Sequence, residues 1–274
     1  MRKTVIAGNW KMHKTVDEAR ELAKALVAGI QADLAGQALP DVVLCPTFVC
    51  LPEVLNTVKG SAVQVGAQNM DYRDSGAFTG EIAAPMLTAI HVSHVIIGHS
   101  ERRQYFAETN HTVNLKVKNA LKHGLTPIMC VGETLGERDE NLTDNIIKHQ
   151  VTAGLAEISE AEVAKLVVAY EPVWAIGTGK NCEVVEANRV CKLIRTTINE
   201  LYPGDKGPGH VADSIPVLYG GSVKASTIEE QMAQTDIDGA LVGGAALKAE
   251  EFLPIIRGGA KRCKASVGAV NASK

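Results

Sequence analysis

The chain has no excess of basic residues: 28 Lys and Arg stand against 31 Asp and Glu in 274 residues, a formal net charge of −3. That balance leaves no electrostatic footprint for nucleic acid or for an anionic membrane surface. No apolar run approaches the roughly 20 residues that a membrane-spanning helix needs. The N-terminus enters a strand-like segment, Thr4–Gly8, with no signal-peptide h-region. The expected compartment is therefore the cytoplasm. Six cysteines, at 45, 50, 130, 182, 191 and 263, show no CxxC spacing, so free thiols are expected. A GxGxxG turn and a Walker A loop are also missing, which excludes two common glycine-rich nucleotide cradles.

What is present is one pattern repeated. Short runs rich in Val and Ile recur at Thr4–Gly8, Asp41–Cys45, Ala62–Ala67, His94–Gly98, Leu125–Val131, Lys165–Tyr170, Ile215–Gly220 and Gly239–Gly243. Segments of helical period lie between them. The clearest follows Thr15, where Thr15-Val16-Asp17-Glu18 reads as a capping box and Ala19, Leu22, Ala23, Leu26, Val27, Ile30 and Leu34 mark one face. Asn114–His123 and Val184–Leu201 read alike, with shorter helices near Pro52–Val58 and Pro85–Val92. Eight strand–helix units predict an α/β fold: a single domain over 1–257, closed as an eight-stranded parallel (β/α)8 barrel. An open doubly wound sheet is the alternative, but its first turn here is Gly8-Asn9-Trp10-Lys11 rather than the required fingerprint. The Gly/Pro-rich stretch 202–213 reads as surface decoration on the lower face, and 258–274, small and polar, as a poorly ordered tail.

Barrel enzymes place their chemistry at the carboxyl ends of the strands. The polar residues there are Asn9 and Lys11 after the first strand, His99, Ser100 and Glu101 after the fourth, and Glu171 after the sixth. Each alone could be a turn residue, a solvated charge or a packed histidine; together they fall on one face. Gly220-Gly221-Ser222 and Gly243-Gly244 follow the last two strands, where exposed backbone N–H groups can hold an anion. Gly177 can add another, so a small phosphorylated substrate is expected. No metal site is expected. His94 and His99 are five apart on one strand and so face opposite sides, and His91 is placed on the preceding helix. No lysine ends the sixth strand to form a Schiff base; Lys165 begins it. Cys130 has no adjacent base and reads as a packed thiol.

The stretches "AGNWKMH" (7–13), "GAFTGE" (76–81), "IIGHSERR" (96–103), "PIMCVGE" (127–133), "AYEPVWAIGTGK" (169–180), "LYGGSV" (218–223) and "LVGGAAL" (241–247) together resemble the triosephosphate isomerase family, in the family's order and across roughly residues 3–256. The resemblance implies a TIM barrel that interconverts dihydroxyacetone phosphate and glyceraldehyde 3-phosphate in glycolysis and gluconeogenesis, with no cofactor and no metal. It implies Glu171 as the base and His99 as the electrophile, with Lys11 supplying positive charge and Asn9 holding substrate. Gly177, Ser222, Gly243 and Gly244 become phosphate contacts, and Glu101 orders the site. Pro172 stiffens the near hinge of a lid, where Trp174 packs; Gly177 and Gly179 let it close. Ile176 and Leu241 then cover Glu171. A homodimer is implied as well, with Thr79 beside the partner subunit's active site. Two rivals are another phosphate-binding barrel enzyme, of aldolase or synthase type, and a non-catalytic binding protein on a retained barrel. The missing strand-six lysine counts against the aldolase, and the presence of both Glu171 and His99 against the binding protein.

Overall fold

The computed structural model describes residues 2–178, 180, 182–204 and 210–272. Its eight strands are β1 (Val5–Asn9), β2 (Asp41–Cys45), β3 (Val63–Ala67), β4 (His94–Ile97), β5 (Thr126–Val131), β6 (Val167–Tyr170), β7 (Val217–Tyr219) and β8 (Gly239–Val242). They pair in parallel in sequence order, and β8 returns to β1 with Ile6 opposite Ala240, so the sheet is closed. This is the expected (β/α)8 barrel.

Strand alternation builds two layers of core. Val5, Ala7, Val43, Cys45, Ile96, Ile128, Val167, Ala169 and Leu218 fill the barrel interior. Their neighbours Ile6, Val42, Leu44, Val95, Ile97, Val168 and Tyr170 belong to the second cluster, shared with the helices. The same parity places the site. Counting by twos from the inward residues, 5–7–9 leads to Asn9 and 167–169–171 leads to Glu171. Both therefore arrive inside the rim rather than among the helices.

The helix Val16–Leu34 begins at the predicted box: the Thr15 N–H donates to Glu18 Oε2 (2.8 Å) and the Glu18 N–H to Thr15 Oγ1 (3.4 Å). The helix expected at Asn114–His123 starts earlier, at Asn110, because Thr109 and Thr112 cap each other reciprocally. The helix expected at Pro85–Val92 ends at Ala89. His91 therefore lies beyond it, at φ +67°, and not on it as its spacing implied.

One other reading needs correction. The stretch 202–213 is not all decoration: Val211 and Ala212 are buried, and the Ala212 carbonyl accepts from buried Arg195 (2.5 Å). Tyr202 also donates to the Ile158 carbonyl (2.9 Å). Residues 205–209 lie outside the described residues. The last helix spans Ala249–Ala272. Its Gly258 and Gly259 sit where a Cβ would press on Ile228 and on Ile6 (2.7 and 2.9 Å). They serve as close-packing positions. Residues 273–274 lie outside the described residues.

His94 sits low in the barrel, with a Cβ at Gly66 only 3.2 Å from its own and its Nδ1 2.8 Å from Ser93 Oγ. Burial lowers its pKa from 6.5 to about 4, with Asp41 opposing the shift weakly. The unfolded chain then binds more protons than the folded one between those values, so stability falls as pH drops through that window. The loss approaches about 3 kcal/mol when the drop is complete. His94→Gln is expected to flatten the fall of the urea midpoint between pH 6.5 and 4. An unchanged slope would place the acid sensitivity elsewhere.

Candidate active site

The carboxyl ends of the strands surround a cavity of about 640 Å³. Asn9, Lys11, His99, Glu171, Ile176, Gly177, Ser222, Leu241, Gly243 and Gly244 all line it. Of the other predicted residues, Glu101 reaches it through Lys11, and Thr79 is not part of its lining.

Glu171 follows the end of β6, and its backbone N–H donates to the Val131 carbonyl of β5 (2.8 Å). Space for it comes from glycine. A Cβ at Gly132 would overlap the Glu171 carbonyl oxygen, and one at Gly220 would lie 3.0 Å from its Cγ. The carboxylate is only 2% exposed. Its Oε2 accepts the Ser100 N–H (3.0 Å), and its Oε1 lies 3.3 Å from Ser100 Oγ and 3.0 Å from His99 Nε2. Burial opposes ionisation, but the neighbouring imidazole and the bonds from His99 and Ser100 prevail and hold the acid below the ordinary carboxylate value.

His99 reaches the rim by a different device. Continued alternation from inward Ile96 would send residue 99 outward, toward the helices. The strand ends at Ile97, and Gly98 takes φ +75°. Its N–H is held by Glu108 Oε1 (2.8 Å). The turn redirects the chain so that His99 caps the helix Ser100–Tyr105 and faces the cavity. The expectation that His94 and His99 face opposite sides therefore fails, because the alternation does not extend past Gly98. The Glu101 N–H donates to His99 Nδ1 (3.2 Å), so the ring carries its proton on Nε2, directed at Glu171. Burial works against an imidazolium, but Glu171 and Glu101 outweigh it and raise the ring's proton affinity.

Lys11 lies in the left-handed region, at φ 51°, which is uncommon for a side-chain-bearing residue. Asn9 Oδ1 accepts its N–H (3.0 Å), and Gln68 Nε2 donates to its carbonyl (2.8 Å) and to that of Cys45 (2.9 Å). Its ammonium donates to Glu101 Oε1 (2.6 Å). Gly243 lies beside this lysine: a Cβ there would meet Lys11 Cε at 3.5 Å, an ordinary contact distance. Gly244 opens a short turn, Gly244–Leu247, and an added Cβ there would meet nothing within 4 Å, so its backbone faces open space.

Gln68 and the Ser100 contact to Glu171 were not identified as site features from the sequence. Gln68 directly follows β3, and its polarity at that position was the available signal. Lys180, Lys224 and Glu251 also line the cavity. Gly179 lies outside the described residues. Cys130 is fully buried, and burial pushes its thiol well above the ordinary value, as a packed thiol requires. Among the described residues, no group of three His, Cys, Asp or Glu side chains is placed to hold a metal ion.

The arrangement offers one carboxylate, one imidazole N–H, a lysine and open glycine backbone around a single cavity. That set suits proton transfer next to a carbonyl on an anionic substrate. Comparison with known proteins gives the same answer independently. The family model for triosephosphate isomerase matches residues 4–259. The triosephosphate isomerase of Clostridium botulinum (strain Langeland) is 56% identical over 256 residues, 93% of this chain and 99% of that one. That of Clostridium tetani is 53% identical over 93% of this chain and 96% of its own length. That of Clostridium perfringens (strain SM101) is 51% identical over 93% and 99%. With similarity of this extent over the whole barrel, the chain belongs to the triosephosphate isomerase family.

Proposed function

We propose that this chain interconverts dihydroxyacetone phosphate and D-glyceraldehyde 3-phosphate, serving glycolysis and gluconeogenesis, by proton transfer through an enediolate and without a cofactor. The observation that carries the reading is the 3.0 Å approach of Glu171 Oε1 to His99 Nε2 beside the glycine-lined cavity at the strand ends. A substrate carbonyl oxygen takes the place of the carboxylate as acceptor of the Nε2–H. Glu171, released from the Ser100 N–H, then removes a proton from the adjacent carbon. The C–H electron pair becomes the C=C bond, and charge moves to the oxygen facing His99 and Lys11. The hydroxyl proton on the first carbon passes to the oxygen on the second, with His99 Nε2 placed to relay it, and return of the Glu171 proton to the second carbon completes the isomerisation. Leaving the Ser100 amide also removes one influence that weakens Glu171 as a base. Asn9 keeps Lys11 in its strained turn. Gly177, Ser222, Gly243 and Gly244 receive the phosphate, Glu101 orders Lys11 and His99, and Ile176 with Leu241 keeps water from the carboxylate. The purified chain, assayed at low concentration with a coupled dehydrogenase, tests this. Absence of turnover of either triose phosphate by folded protein would overturn it.

His99→Gln is expected to lower kcat more than KM, because its N–H matters most as charge develops on the substrate oxygen. A rise in KM with unchanged kcat would make it a binding residue.

A homodimer is part of the same reading. Met12 (92% exposed), Val49, Phe78, Met86, Tyr105 and Phe106 are all exposed apolar side chains on segments that follow β1 to β4. Four consecutive strands thus put them on one side of the barrel, as a contact surface requires. The loop carrying Thr79 is preorganised: Arg73 stacks over Phe78 (3.5 Å), and Asp74 is held by Lys122 and His123 (2.7 and 2.8 Å). Thr79→Arg is expected to weaken association and activity together, since a bulky charge would enter a packed interface. Light scattering that shows a full-strength, fully active dimer would refute this placement. The cytoplasm is the proposed location; among the described residues no helix is long and apolar enough to cross a membrane, and the six cysteines are free.

A further inference from the structure

A single guanidinium ties the near hinge of the lid segment to the helix that follows it. Arg138 lies on the short helix Leu135–Asp139, which follows β5 and is fixed by the Thr134–Glu137 capping box. Its Cζ stands 4.3 Å from the centre of the Trp174 ring, in the near hinge Val173–Ala175. Its Nη1 donates to Glu186 Oε1 (3.2 Å), in the first turn of the helix Val184–Leu201 that receives the far end of the segment. The same nitrogen lies 3.6 Å from Glu133 Oε1, the atom that accepts the Trp174 indole N–H (2.9 Å) and the Tyr170 hydroxyl (3.1 Å). Glu133 is completely buried, so it cannot follow the hinge if Trp174 moves. Glu186 is itself gripped by Arg189, which donates to both of its oxygens (2.8 and 3.1 Å). Arg138 is thus anchored on one side to a rigid helix and on the other to an indole face that sits on the hinge.

The contact belongs to the resting arrangement. Gly177 and Thr178 are exposed, and both carboxylate oxygens of Glu171 are engaged by Ser100 and His99. Arg138 does not line that cavity and touches no reacting group. We infer that Arg138 is a positioning residue that holds the near hinge to the helix beyond the lid and so biases the lid toward its open state. The inference rests on the reading of 176–179 as a cover for the site. A cation against an indole face with partial desolvation shifts a two-state equilibrium by about fivefold to tenfold. Losing it favours closure: substrate is held more tightly, and opening to release product becomes slower.

The test is steady-state kinetics of Arg138→Met and Arg138→Lys with dihydroxyacetone phosphate, with thermal melts run alongside. Methionine covers the ring without charge, and lysine keeps a cation. For Arg138→Met, KM and kcat are both expected to fall, by about fivefold, leaving kcat/KM nearly unchanged, as weakened opening requires. Arg138→Lys is expected to recover most of both. A merely structural role would instead lower the melting temperature and kcat/KM together, with KM unchanged or raised; that result, or unaltered kinetics in Arg138→Met, overturns the inference. Combining Arg138→Met with deletion of 176–179 separates the two readings. If the deletion alone leaves turnover intact, the lid reading itself fails. If the deletion cripples turnover while Arg138→Met alone changes nothing, only the role of Arg138 fails. If both hold, Arg138→Met adds nothing further in the deleted background.

Discussion

Glu171→Gln is expected to fold as the native chain does and to lose about 10²–10⁴ in kcat, the usual cost of removing a positioned general base. The amide has the size of the carboxylate, so the glycine-lined space at Gly132 and Gly220 accommodates it. It cannot satisfy all its neighbours. The carboxylate accepts from the Ser100 N–H through one oxygen and from His99 Nε2 through the other. An amide has one accepting oxygen, so its NH₂ must face one of those two donors. The mismatch costs on the order of 1–3 kcal/mol of stability, tolerable for a barrel of this size. Activity falls for a separate reason: an amide has no basicity to remove a proton from carbon. Melting curves and initial rates with both triose phosphates check the two halves. A rate within tenfold of the native value, in protein shown to be folded, would mean that another group is the base.

Deletion of residues 176–179, with the ends joined by a short linker, has the second largest expected effect. The barrel should survive, because Gly177 and Thr178 are exposed and Thr178 bonds locally, to the Trp174 carbonyl (2.8 Å). Isomerisation should drop by several kcal/mol of barrier, on the order of 10² or more in rate, through loss of the proposed Gly177 phosphate contact and of the dry site. Glu171 and His99 remain, so proton removal continues. The enediolate then sits with its phosphate free to rotate. When the C–O bond to phosphate aligns with the π system, phosphate leaves and methylglyoxal results. The ratio of methylglyoxal to glyceraldehyde 3-phosphate is therefore expected to rise. A folded deletion protein with the normal rate and no change in that ratio would reduce these residues to an ordinary turn.

Much of this architecture is written locally. The Thr15–Glu18 box and the apolar face behind it are interactions within one helical turn, so neighbouring residues alone specify them. The strands announce themselves by short β-branched runs, and period-two alternation carries Asn9 and Glu171 to the inner rim. The seven motif stretches were also enough to point to the family and to the residues around the cavity.

Other features have no local signal, because they depend on what barrel closure brings near. Gly98 needs φ +75° to turn His99 into the cavity, and nothing in a strand pattern distinguishes it from a glycine that merely ends a strand. Gly258 and Gly259 carry no packing signal in the sequence, yet a Cβ at either would press on Ile228 or Ile6. Gln68 secures Lys11 across 57 positions, and Ser100 holds Glu171 across 71. Arg138 joins Trp174 and Glu186 from a third loop. Periodicity and capping are properties of adjacent residues, whereas close approach, polar pairing and the resting grip on Glu171 depend on distances that exist only after the eighth strand has met the first.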